Sequence, residues 1–117
     1  MKDSFATSVA IESGIARIFD HVETDGPMWT GTGERWETAP IRFNTPFTQP
    51  PSVHMSISMI DAASDRNLRL SMRASNTTVE GFTAIVQTWS DTRIGRLEVA
   101  WTAIGTSVEN TTPLWDV

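Results

Sequence analysis

Apolar and polar residues alternate with a period of two through most of the second half of the chain. Over residues 52–60, Val53, Met55, Ile57 and Met59 fall on one side and His54, Ser56 and Ser58 on the other. That spacing predicts a half-buried strand. Residues 67–75 repeat it, with Leu68, Leu70 and Met72 set against Arg69, Ser71 and Arg73. Two more strands are predicted over residues 80–89 and 93–105, with Ser90-Asp91-Thr92 as the tight connection of a hairpin. The stretches between strands, DAASDR at 61–66 and SNTTVEG at 75–81, are rich in turn formers. Breaks at short, regular intervals are the mark of a sandwich or barrel.

The first half is less regular. Residues 14–21, GIARIFDH, fit one helical turn or a strand, the β-branched residues and Phe suiting the latter. Residues 45–52 hold three of the six prolines, so they read as a rigid crossover, because proline offers no N–H to a ladder. Residues 23–40, ETDGPMWTGTGERWETAP, carry three glycines, two prolines and two tryptophans without periodicity. They are predicted to form one long loop, the place on a β scaffold where function concentrates. At the C-terminal end, Leu114 and Trp115 are expected to dock onto a neighbour. Residues 1–117 are read as a single domain, an all-β antiparallel sandwich.

The composition narrows the function. A chain of 117 residues, 39% hydrophobic and 20% charged, can bury one core. A net charge of −5 disfavours nucleic acid and anionic membranes as partners. The absence of cysteine excludes disulfides and thiolate metal sites. No secretory signal or membrane-spanning run is recognisable, so an extracellular or particle-bound location would need a non-classical route. Two matches to the N-glycosylation sequon, at Asn76 and Asn110, are read as chance in that context.

The candidate chemistry is that of binding. His21 and His54 stand in no nucleophile motif, Asp61 and Asp65 lack the glycine and glutamate of a calcium loop, and GTGER matches no phosphate cradle. No catalytic residue, metal or cofactor is therefore expected. Tryptophan, by contrast, occurs five times while tyrosine is missing. Trp101 is expected in the core. An exposed indole offers a plane for the C–H face of a sugar, and Arg, Asp and Ser supply donors and acceptors for its hydroxyl rim. Trp89, Ser90 and Asp91 at the hairpin tip, with Arg69 on the neighbouring strand, make up that set. The same residues would equally serve as a surface ion pair between Arg69 and Asp91, with Trp89 covering a sheet edge.

Several short pieces then fall in a known order. They are Phe43 followed by Pro46-Phe47 and Pro50-Pro51, a strand ending in Asp61, Asn67-Leu68-Arg69, Gly81-Phe82, Thr88-Trp89-Ser90-Asp91-Thr92, and the closing Val99–Gly105; upstream, Ile11-Glu12-Ser13-Gly14 fits a first strand. In this order they resemble the H-type lectin domain. The resemblance implies a six-stranded antiparallel sandwich that forms trimers or pairs of trimers. It also implies a shallow, metal-free site for galactose or N-acetylgalactosamine between protomers. It assigns sugar binding to Arg69 and Trp89, with Ser90 where histidine is often found, and to Gly33 and Glu34 on the long loop. A second aromatic of the family falls at Gly95. Asp91 would compensate as an acceptor, and Trp29 or Trp36 would return the missing plane. The reading is a lectin for cell-surface glycans. The alternative is a spike or fibre subunit of a phage-like particle, with trimerisation as its main role.

Overall fold

A computed structural model describes residues 7–108, and these form two three-stranded antiparallel sheets packed face to face. The strands are β1 (Thr7–Asp20), β2 (Arg35–Arg42), β3 (Ser52–Ala62), β4 (Ser71–Ser75), β5 (Gly81–Thr88) and β6 (Ile94–Val108). The first sheet has the order β1-β6-β3 and the second β2-β5-β4. Leu114, Trp115 and the sequon at Asn110 lie outside the described residues. Among the described residues no helix is long and apolar enough to cross a membrane.

The two central strands supply most of the core. Phe82, Ala84, Val86 and Thr88 of β5 and Leu97, Val99, Trp101 and Ala103 of β6 are all buried, the strict alternation of strands with one face on a core. Phe43 and Phe47 close one end against Phe82 and Trp101, with ring centroids 5–6 Å apart. Trp101 is in the core, as its position in the period predicts.

Four expectations need correction. The hairpin is not one: β5 and β6 belong to different sheets, so residues 89–93 bridge the sandwich at a corner. A short polar break looks the same whether its flanking strands pair or face each other across a core.

The long loop of residues 23–40 is also more structured than predicted. It holds two helical turns, α1 (His21–Thr24) and α2 (Pro27–Thr30), and then β2. The inward side of β2 carries Arg35 and Glu37, so its period is masked by polar residues. Pro40 is tolerated because β2 is an edge strand.

Residues 67–70 are not strand, and only Ser71–Ser75 pairs with β5. Buried threonine hydroxyls hold the segment instead. Thr92 Oγ1 donates to Asn67 O and accepts from the Arg69 N–H, while Thr88 Oγ1 donates to Arg69 O. Finally, Ser58 is an extra residue opposite β6, so the phase of β3 flips there. Val53 and Met55 pack on the core, whereas Met59 stands opposite Glu98 and Ile60 turns inward in its place.

Candidate functional site

Arg35 builds one end of the sandwich. The residue is 7% exposed, and its guanidinium donates to carbonyl groups. Nε donates to Gly33 O at 2.8 Å, and Nη1 to Pro27 O, Gly31 O and Met28 O at 3.1, 2.9 and 3.3 Å. Nη2 donates to Ser90 O at 3.2 Å. One side chain thus ties the turn at 27–33 to the corner at 89–93. Burial, with Arg93 nearby adding repulsion, lowers its pKa from the usual arginine value. With five donors in a rigid fork it can satisfy several carbonyl groups at once.

His21 supports the same turn. The ring is almost buried, tilted against Phe19, and its Nδ1 accepts the Met28 N–H at 3.1 Å. Nε2 is 3.2 Å from Glu37 Oε1. The accepting Nδ1 leaves the proton on Nε2, facing the carboxylate. His21 is thereby committed to structure. His54 sits on the outer face of the first sheet, sharing a hydrogen bond with Ser52 at 3.1 Å.

Gly33 and Ser90 meet directly: the Gly33 N–H donates to Ser90 O at 2.9 Å. Both adopt left-handed backbone, with φ of 76° and 62°. Glycine carries no penalty there, whereas Ser90 does, so the corner holds its serine in a conformation that L side chains seldom adopt. Ser90 is exposed beside Trp89, which is 37% exposed, and Glu34 is exposed next to Gly33.

Arg69 Nη1 lies 3.2 Å from Asp91 Oδ1, with side chains 35% and 48% exposed. This is the ion pair that the residue types allowed, and its exposure leaves donors and acceptors open to a ligand. The backbone of Arg69 is held between Thr88 and Thr92, the residues that flank Trp89, Ser90 and Asp91, and Glu34 follows Gly33, whose N–H donates to Ser90 O. A single protomer therefore gathers all six predicted site residues, Gly33, Glu34, Arg69, Trp89, Ser90 and Asp91, at one end.

Gly95, where the resemblance puts a second aromatic, has no room for a side chain. A side chain at Gly95 would strike Val22, and the Trp29 ring lies 3.3 Å from where its Cβ would be. Trp29 occupies the room beside the corner. Sequence reasoning missed Arg35, the residue that organises this end, because a buried arginine without a carboxylate partner leaves no spacing signal.

The end is shallow. Two concavities lie elsewhere, one of about 500 Å³ between Arg42, Asn76 and Phe82, the other beside Ile11 and Asn44. No group of three or more His, Cys, Asp or Glu side chains converges among the described residues.

Comparison with known proteins supplies the family. The model of the H-type lectin domain matches residues 38–104. A protein of Fuscovulum blasticum named ATP synthase subunits region ORF 7 is 39% identical over 98 residues, covering 84% of this chain and 85% of that protein. A discoidin-1 polypeptide of Dictyostelium discoideum is 28% identical over 75 residues, which is 63% of this chain and 30% of that one. Two solved structures of discoidin II from the same organism, recombinant and wild type, superpose with a TM-score of 0.73 each. They are 22% and 23% identical to this chain and cover 94% and 89% of it, while the chain spans only 41% and 39% of theirs.

Proposed function

The chain belongs to the H-type lectin domain family and has its general carbohydrate-binding role, and from that premise we propose that the corner at Arg69, Trp89, Ser90 and Asp91 binds galactose or N-acetylgalactosamine. The observation that carries this is the half-exposed Arg69–Asp91 pair, held by Thr88 and Thr92 on either side of the exposed Trp89 corner. The indole takes the C–H face of the pyranose, Arg69 donates to ring substituents, and Asp91 accepts from adjacent hydroxyls. Gly33, Glu34 and the Ser90 hydroxyl complete the rim. Arg35 touches no sugar and acts by holding Gly33 and Ser90 together.

We further propose that the protein works as a homotrimer or a dimer of trimers. The outer face of the first sheet supports this. Val9, Ile11 and Ile15 of β1 are 72%, 67% and 67% exposed, and Ile104 stands opposite Ile11. Down to the ion pair of Arg17 with Glu98, that stretch of β1 and β6 presents no charge outward. An uncharged face with several exposed branched aliphatic side chains, interleaved with Ser13, Thr102 and Thr106, suits an interaction surface. Closed assembly repeats a shallow site and turns weak single contacts into useful avidity.

A glycan array probed with the wild type and with Asp91→Asn tests the reading. Loss of galactose-type signals in the variant is expected. Identical profiles would overturn it. A trimer in light scattering that binds no glycan would leave assembly as the role.

A further inference from the structure

We propose that the outer face of the second sheet is a binding strip for an acidic oligosaccharide, running from the corner site across Trp36, Gln87 and Ser71 to Arg73. The inference rests on the lectin reading of the corner and adds a ligand class and a second aromatic subsite to it.

The register lays the strip out. Trp36, Gln87 and Ser71 form one row across the three strands, since Trp36 pairs with Gln87 and Gln87 with Ser71. All three point away from the core, because Arg35, Thr88 and Met72, their neighbours in sequence, lie on the inward side. The row borders the corner, since Trp36, Gln87 and Ser71 each stand two residues along the chain from Glu34, Trp89 and Arg69. The next row brings Thr38, Ile85 and Arg73. A chain leaving the corner along this face therefore meets a second indole with amide and hydroxyl groups beside it, then a guanidinium.

Two features show that the strip is more than a solvated face. Trp36 is 50% exposed with no aromatic partner among the described residues. Covering the indole with the C–H face of a sugar removes apolar surface from water. Arg73 is exposed and forms no ion pair among the described residues.

The sign of the charge selects the ligand. Although the protein carries −5 overall, no carboxylate faces outward on the rows from Trp36 to Pro40, and Glu80 beyond them is paired with Arg42. Glu34 and the Arg69-paired Asp91 stand at the corner end of the strip, away from Arg73, and fields from more distant acids are screened beyond about 8–10 Å in physiological salt. A carboxylate on the glycan thus finds an exposed cation at Arg73 with no competitor on those rows.

The test is calorimetry with three probes: N-acetylgalactosamine, an unsulfated chondroitin hexasaccharide, and the same hexasaccharide with its carboxylates reduced to neutral alcohols. The wild type should bind the acidic hexasaccharide about tenfold more tightly than the monosaccharide, and reduction should remove much of that gain. Trp36→Ala and, separately, Arg73→Gln should lose the gain while keeping the affinity for N-acetylgalactosamine. Arg69→Ala should lose all three probes. If Trp36→Ala and Arg73→Gln bind the hexasaccharide like the wild type while Arg69→Ala does not, the strip is refuted and the corner site stands. If the wild type binds the monosaccharide no less tightly than the hexasaccharide, the strip is equally refuted. If Arg69→Ala matches the wild type throughout, the corner reading fails. Arg73→Gln, an exposed edge substitution, keeps the test valid should Trp36→Ala misfold.

Discussion

The two sheets share a plan and differ in what they turn outward. Each has a long central strand between two neighbours, and each buries an alternating apolar face against the other. Outside, the first sheet shows branched aliphatic residues, Val9, Ile11, Ile15 and Ile104. The second shows an indole, an amide, hydroxyl groups and an exposed guanidinium. An aliphatic face is matched by another protein surface of the same kind, whereas a wet aromatic face is matched by a polar ligand with one apolar side. On the reading proposed above, the sandwich divides assembly and recognition between its two backs, leaving the core to hold them together.

The sharpest way to break the comparison is to charge the aliphatic face. Replacing Ile11 and Ile15 together by glutamate should reduce the particle mass in light scattering to that of one chain. On a surface coated with galactose-type glycans, binding should fall by about 10²–10⁴-fold as avidity is lost. An unchanged mass would remove the first sheet from any role in assembly.

Next in size is Arg35→Ala, which strips the carbonyl groups of Gly33, Gly31, Pro27 and Ser90 of a buried donor. A loss of about 3 kcal/mol, a fall in Tm of about 10 °C, is expected. Calorimetry on the folded fraction should show weakened sugar binding, because the corner loses its anchor. Thr92→Val follows. It removes a buried hydroxyl that both donates to Asn67 O and accepts from the Arg69 N–H, and should cost about 1–2 kcal/mol in denaturant unfolding. Smallest is Trp36→Ala, whose half-exposed ring on an edge strand should leave stability within about 0.5 kcal/mol by the same measurement.

Much of this was legible in the residues. β5 and β6 announce themselves by strict alternation, and β3 does so as far as the bulge at Ser58. What escaped did so for physical reasons. β2 points Arg35 and Glu37 inward, where they serve carbonyl groups and a histidine, so its period carries no hydrophobic signal. Residues 67–70 alternate like a strand but are held by threonine side chains, an arrangement that periodicity cannot distinguish from a ladder. The pairing partners of β5 and β6 depend on the whole topology, not on the five residues between them. For the site, Arg69, Trp89, Ser90 and Asp91 were readable as sugar-like chemistry, equally consistent with a surface ion pair, and the resemblance chose between the two and added Gly33 and Glu34. That one protomer gathers them depends on Arg35, whose role only the folded chain displays.

The most direct measurement is isothermal titration of N-acetylgalactosamine into the wild type and Arg69→Ala, with Tm recorded for both. The pair with Asp91 is exposed and contributes little to folding. The account therefore predicts nearly equal Tm values and a loss of affinity of about tenfold or more in the variant. Equal affinities in two equally stable proteins would contradict it.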